Sequence, residues 1–219
     1  MISLEDIKHD PEVDVYLRKG NDYLGVMGYT EHGYRHMSLV SSIAGNILEI
    51  LDYPKRDSEL AAIAGYMHDI GNVISRHDHG QSGAVLAYTI LSRMNMDPAE
   101  IATIISAIGN HDEEYGYSVN QVAAALILAD KSDVHRSRVR NPDFASFDIH
   151  DRVNYAVENS VLKVNAPAQT ITMELDINQE ISTVMDYFEI FLSRLLMCRR
   201  AAEFLGCTFN LVINGAKLF

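Results

Sequence analysis

Cysteine is scarce in this chain. Only Cys198 and Cys207 occur, both near the C-terminus, and there is no Cys-x-x-Cys. That excludes a disulfide framework and makes a reducing cytoplasm the expected setting. Basic residues are also few, with Lys+Arg 18 against Asp+Glu 30 and a formal net charge of -12. Such a surface is repelled by nucleic-acid backbones and anionic membranes, so neither is an expected partner. Long apolar runs are missing. The longest, VAAALILA at 122–129, falls far short of the roughly 20 residues a membrane helix needs. The first ten residues, MISLEDIKHD, lack the apolar stretch of a signal peptide. What remains is ordinary globular composition, 47% hydrophobic and 22% charged over 219 residues. That suits one domain, with room for a small appendage.

The apolar spacing is mostly helical. Over residues 31–51, His36, Leu39, Val40, Ile43, Ile47 and Ile50 recur at helical intervals, and Pro54 closes the run. Ser58-Glu59-Leu60 opens a short apolar helix that ends at Asp69, with Gly71 placed to stop it. Asp78 is placed to cap a helix running to about Met94. Asp97-Pro98-Ala99-Glu100 combines an N-cap, a first-turn proline and an N3 acid, and starts a helix to about His111. Ser118 or Asn120 starts another through ALILADKSD, and residues 148–160 read as one more. After Pro167 the period changes. Residues 170–177 and 207–213 alternate as half-buried strands, on either side of an amphipathic helix over 180–205 that Gly206 closes. The expected fold is mainly α, with an N-terminal extension (1–30) packing on the core. A helical bundle (31–165) follows, then a small C-terminal β-α-β appendage (166–219). Met and Tyr residues at helical spacing read as core.

Histidine and aspartate fall at particular places on these elements. His36 lies early in one helix, His68 and Asp69 in the last turn of the next, and His79 in the first turn of the third. His111 ends the fourth, and Asp130 sits inside the fifth, behind a run of apolar residues. A buried carboxylate is costly unless it is paired or bound to metal. In a bundle, side chains from facing helices can meet at one point. Imidazole and carboxylate without thiolate suit Fe, Mn, Co, Ni or Zn in a catalytic role, and Mg is admitted as well. Six candidate ligands exceed what one ion with an open position uses. They fit two divalent ions with Asp69 as the bridge, an arrangement that braces both oxygens of an in-line phosphoryl displacement.

At these residues the sequence resembles the HD-domain metal-dependent phosphohydrolases. Their ordered pattern of His, His-Asp and a distant Asp maps onto His36, His68-Asp69 and Asp130. HDIGN followed by HGQSGA resembles the HDIGK and His-x-x-x-Gly-Ala run of the dinuclear branch, which supplies His79. IISAIGNHDE resembles the segment that supplies His111, and ADKSDVHRSR the stretch around the last Asp. The likeness covers roughly residues 30–140. It implies an HD-type helical bundle that hydrolyses a small phosphate ester, often a nucleotide, with hydroxide held at the metals attacking phosphorus. Asp69 and His68 would stand at the catalytic centre. The chain departs from the family's HDIGK lysine at Asn72, which donates a hydrogen bond but brings no charge.

The substrate-side candidates are Lys131, Arg136, Asn72, Arg35 and His32. Lys131 and Arg136 belong to a basic run with Arg138 and Arg140. That run is either a phosphate clamp or a solvated helix end that suits the macrodipole. His32 lies one turn before His36 on the same helix face. Asp112 or Asp78 could orient a histidine or accept a proton. His77 competes with His79 for its position, while His9, His135 and His150 read as surface residues. Helix 180–205 is either packing for the appended strands or the face of a homodimer. Two other functions remain open on the same residues: a di-iron oxygenase, and a non-catalytic nucleotide sensor.

Overall fold

Local capping chemistry sets most helix starts. The computed structural model describes residues 1–114 and 116–218. Its helices are α1 (Leu4–Lys8), α2 (Pro11–Val26), α3 (Tyr34–Ile50), α4 (Lys55–Met67), α5 (His79–Arg93), α6 (Pro98–Gly109), α7 (Gln121–Ser132), α8 (Ile149–Ala156) and α9 (Val184–Phe204). Asp10 accepts from the amides of Glu12 and Val13, with Pro11 in the first turn of α2. Asp97 does the same for Ala99 and Glu100 at α6. Asn120 accepts from Ala123 at α7, and Thr183 forms a reciprocal box with Asp186 at α9. Asp78 is the exception. It precedes α5 in a left-handed conformation (φ 56°), and its side chain makes no cap bond. The expected Asp78 cap is therefore corrected: the backbone turn, not the carboxylate, starts this helix.

The strands are β1 (Val157–Asn165), β2 (Thr170–Ile177), β3 (Thr208–Ile213) and β4 (Ala216–Lys217), in sheet order β1-β2-β3-β4. β1 and β2 form an antiparallel hairpin, β2 and β3 run parallel with α9 as the crossover, and β4 returns antiparallel. Helix over 148–160 is thus corrected. It ends at Ala156, and the chain continues as β1, whose residues pair one for one with β2 from Asn159 onward. The C-terminal unit is β-β-α-β with a short fourth strand, and a boundary at 165 would cut its first hairpin.

α7 is the central helix. Every residue from Val122 to Ala129 is buried, and α3, α4, α6 and α9 pack around it. The stripe Tyr187, Phe191, Leu195, Cys198 and Ala202 turns α9 onto α7 and β3. Fully burying a side chain such as Phe191 stabilises by about 1.5–3 kcal/mol. Both cysteines are free and buried. At the N-terminus, α2 packs on the short 3-10 turn Ile70–Val73 and α1 on α4. No described helix is long and apolar enough to cross a membrane.

Two glycines set distances that matter below. A Cβ on Gly65 would sit 2.9 Å from Ser41 Cα, so glycine lets α3 and α4 approach closely. A Cβ on Gly71 would fall on the carbonyl oxygen of His79, so the turn after Asp69 lies directly against the start of α5. Gly71 was expected as a helix stop. Its role is close approach.

Candidate metal centre

The packing of five helices brings the six singled-out side chains to one place. α3 supplies His36, and the C-terminal end of α4 supplies His68 and Asp69. The first turn of α5 supplies His79, the residue pair after α6 ends in His111, and α7 supplies Asp130. His36, His68, Asp69, His79 and His111 are all buried.

The ring orientations follow from hydrogen bonds at Nδ1. His68 Nδ1 donates to the Gly65 carbonyl (2.8 Å), His111 Nδ1 to that of Ile108 (2.6 Å), and His79 Nδ1 to that of Arg76 (3.1 Å). His36 Nδ1 donates to Asp133 Oδ2 at 2.7 Å. A proton committed at Nδ1 leaves each neutral ring with a lone pair at Nε2. Those lone pairs converge. His36 Nε2 lies 3.2 Å from His68 Nε2, and His79 Nε2 lies 3.1 Å from His111 Nε2. Lone pairs cannot face each other at such distances without a cation between them, either a proton or a metal.

Asp69 stands between the two halves. Its Oδ2 is 3.2 Å from His68 Nε2 and 3.5 Å from His36 Nε2, whereas its Oδ1 is 3.5 Å from His79 Nε2. Asp130 Oδ1 joins the first half, 3.4 Å from His36 Nε2 and 3.6 Å from His68 Nε2. Ligand atoms of His36, His68 and Asp130 lie within 4.8 Å of one another, as do those of His68, Asp69 and His111. Asp69 Oδ2 is buried with no hydrogen-bond partner among the described residues. An orphaned carboxylate oxygen inside a ring of imidazole lone pairs fits a divalent metal, and the donor set fits one that accepts nitrogen and oxygen.

The electrostatics agree. Burial alone would raise the Asp69 and Asp130 carboxyls, yet His68 beside the first and Lys131 beside the second outweigh it and hold both well below the usual carboxylate range. Burial works against a charged His68, but Asp69 and Asp130 overcome it and raise the ring to about 10. Burial, together with His79 and His68, lowers His111 to about 3. One half of the centre is thus strongly attractive to positive charge, and His111 is neutral.

The HD domain family model matches residues 33–189 of this sequence. The chain belongs to the HD domain family. It is also similar to the uncharacterized protein MJ1020 of Methanocaldococcus jannaschii, 27% identical over 184 residues, 73% of this chain and 70% of that one. Among solved structures it is similar to a predicted HD superfamily hydrolase from an uncultured Thermotogales bacterium. There the identity is 25%, the TM-score 0.45, and the match covers 58% of this chain and 69% of the other. HD proteins bind divalent metals, and the cluster here has the residues to do so. The HD match runs past residue 140 through β1 and β2 into the start of α9.

Beside the HD cluster lies a cavity of about 340 Å³, reached by His32, His79, His111, Asp130 and Lys131. Lys131 is buried, with Nζ 2.7 Å from Asp130 Oδ2. His32 packs edge-on to His36 and donates from Nδ1 to the Thr30 carbonyl at 2.7 Å. The other substrate-side candidates do something else. Arg136 pairs with Glu158 (2.7 Å), lies over the Tyr155 ring, and is not among the residues lining the cavity. Asn72 is buried and donates to Asp69 Oδ1 at 2.8 Å, so it fixes that carboxylate. Arg35 forms a two-point pair with Asp133 (3.1 and 2.7 Å), which in turn holds His36. His150, read as a surface residue, is exposed and stands at the cavity wall. Asp112 Oδ2 lies 3.3 Å from His79 Nδ1, where an orienting carboxylate was expected, whereas Asp78 makes no such contact.

Three residues with clear roles were not singled out from the sequence. Asp133 orients His36. Arg76 lies 3.3 Å from His79 Nε2 through NH1. Arg194 of α9 reaches the cavity, with Nε 2.5 Å from Glu113 Oε1. For Asp133 a signal existed, the i, i+3 spacing to Asp130 at the end of α7. Arg194 had none, because it is distant in sequence from every HD motif.

Proposed function

We propose that the protein is a metal-dependent phosphohydrolase that acts on a small phosphate ester, a nucleotide being the first class to test. One observation carries this reading: four imidazole lone pairs and two carboxylates face one point, at the wall of a cation-bearing cavity. When bound, divalent ions would supply Lewis acidity and lower the pKa of a coordinated water. His36, His68, Asp69 and Asp130 would hold one ion, and Asp69, His79 and His111 a second.

The chain's own groups supply the rest. Lys131 Nζ, tied to Asp130 at 2.7 Å, is placed to donate to a phosphate oxygen at the same corner. Glu113 links Lys131 (3.6 Å) to Arg194 (2.5 Å), so the two cations form one wall. Burial keeps His32 well below its ordinary pKa and therefore neutral; with its proton on Nδ1, its Nε2 can accept a hydrogen bond from water or a hydroxyl in the cavity. Water adds to phosphorus, the ester P–O bond breaks, and the alcohol and phosphate leave. A net charge of -12 argues for small substrates over polynucleotides.

The test pairs metal content with turnover. Protein purified without chelator should carry close to two equivalents of a transition metal, falling on His79→Ala or His111→Ala. It should release phosphate from a panel of mono- and dinucleotides, with Asp69→Ala as the blank. One equivalent indifferent to those changes overturns the dinuclear assignment. A panel blank in every metal overturns the hydrolase, and oxygen consumption by an iron-loaded sample would put an oxygenase in its place.

A further inference from the structure

Five large apolar side chains are left in solvent on one patch beside the cavity. They are Tyr23 and Val26 in the last turn of α2, Met27 and Tyr29 just after it, and Ile74 after the Ile70–Val73 turn. Val26 is 88% exposed and Ile74 64%. This presentation is built in. Gly28 takes a left-handed conformation (φ 84°), and the Tyr29 amide bonds the Leu24 carbonyl at 2.9 Å, a helix-ending motif that fixes where Met27 and Tyr29 point. The patch lines a groove of about 360 Å³. Met27, Tyr29 and Arg76 line both this groove and the cavity beside the candidate metal centre. Arg76 is the junction: its guanidinium lies 5.8 Å above the Tyr29 ring and 3.3 Å from His79 Nε2.

We infer that this groove is a subsite for a planar aromatic group, so that the substrate is a phosphate ester whose alcohol portion carries an aromatic ring system. The inference rests on the phosphohydrolase reading for the role of the cavity. The polar, cationic cavity suits the phosphate. The groove that continues from it offers phenol faces, a thioether and a guanidinium, surfaces that favour a flat π system over a flexible chain. A molecule with an anionic head and an aromatic body spans both and covers the apolar patch. Residues 23–29 lie before the stretch matched by the HD domain and Ile74 and Arg76 lie within it, so the chain's own N-terminal segment supplies one side of this subsite.

The test uses non-hydrolysable phosphonates and calorimetry on the Mn²⁺-loaded protein. The probes are methylphosphonate (head alone), octylphosphonate (aliphatic body), 1-naphthylmethylphosphonate (aromatic body) and a nucleoside phosphonate (aromatic body on a sugar). The naphthyl probe should bind at least about tenfold tighter than methylphosphonate, as expected for burying one ring system, and tighter than octylphosphonate. The nucleoside probe separates a nucleobase from a bare aromatic ring as the occupant: matching or exceeding the naphthyl probe assigns the base. Val26→Asp and Ile74→Asp change exposed positions and should collapse the naphthyl-to-methyl ratio, as should Tyr29→Ala. A ratio near one, a preference for octylphosphonate, or a ratio untouched by all three changes overturns the inference. So does a dimer that Val26→Asp dissolves while the ratio stays constant. Selective aromatic binding with no phosphate ester hydrolysed would sink the phosphohydrolase reading and leave the groove. Hydrolysis without aromatic preference would do the reverse.

Discussion

The Asp133 carboxylate takes a proton bond from His36 Nδ1, holds Arg35 at two points, and lies 3.7 Å from Arg138 Nε. Burial would raise its pKa, but His36, Arg138 and Arg35 outweigh that and hold it far below the usual range. Removing it leaves a buried guanidinium without its countercharge and a ring without its guide. Asp133→Ala should lower metal affinity about 10–100-fold and stability by about 3 kcal/mol. Asp133→Asn, which keeps an acceptor, should lose less of both; metal titration and thermal melts would show equal losses if orientation of His36 were not the reason. His68 gives a second expectation. Its ring is charged in the metal-free protein below about 10, and a ligating imidazole must be neutral. Metal binding near pH 7.5 should therefore release a proton from His68, and affinity should rise with pH up to about 10. Calorimetry in buffers of different ionisation heat measures that release, and a null result would place the proton elsewhere. At this scale the six ring and carboxylate positions were legible in the sequence because each sits at a helix end or on an apolar stripe. Arg35 and Asn72 were legible as neighbours of the site but not in role. Whether a side chain faces the cavity or props up another depends on how α3 meets α7, which no local pattern encodes.

Among elements, the contact between the Ile70–Val73 turn and α5 sets the distance from Asp69 to His79. There is no room at Gly71 for even one methyl group. Gly71→Ala should push α5 away, cost about 2 kcal/mol or more, and weaken metal binding in the His79–His111 half more than in the His36–Asp130 half. The readout is a two-site metal titration, and equal weakening of both sites would contradict the geometry. Helices were legible to within a few residues where caps were strong, as at Asp97 and Asn120. β1 was not, because Glu158, Asn159, Ser160 and Lys163 interrupt its apolar residues. Its extended form is settled by pairing with β2, a tertiary effect that outweighs weak local preference.

For the whole molecule, the candidate centre is where α3, α4, α5, α6 and α7 all end or cross. An ion there binds the folded chain and not the unfolded one. At a thousandfold excess over its dissociation constant it would stabilise by about 4 kcal/mol, which for a chain of this length is roughly 8–16 °C in Tm. Chelation should lower Tm by that amount, and re-addition of Mn²⁺ should restore it; a melt indifferent to chelator would mean the ligands are held without a metal. The mainly helical class and the C-terminal sheet followed from periodicity. The reach of α9 back over the cavity did not, because Arg194 is brought there only by the crossover between β2 and β3.

Three of the four imidazoles take their Nδ1 acceptor from the carbonyl three residues earlier: His68 from Gly65, His79 from Arg76, His111 from Ile108. Their tautomers are written by their own turns and exist as soon as those turns form. His36 differs, because its acceptor lies 97 residues away on Asp133. The aim of its donor therefore depends on the end of α7 docking beside α3, so this one ring ties the geometry of the centre to the packing of the bundle.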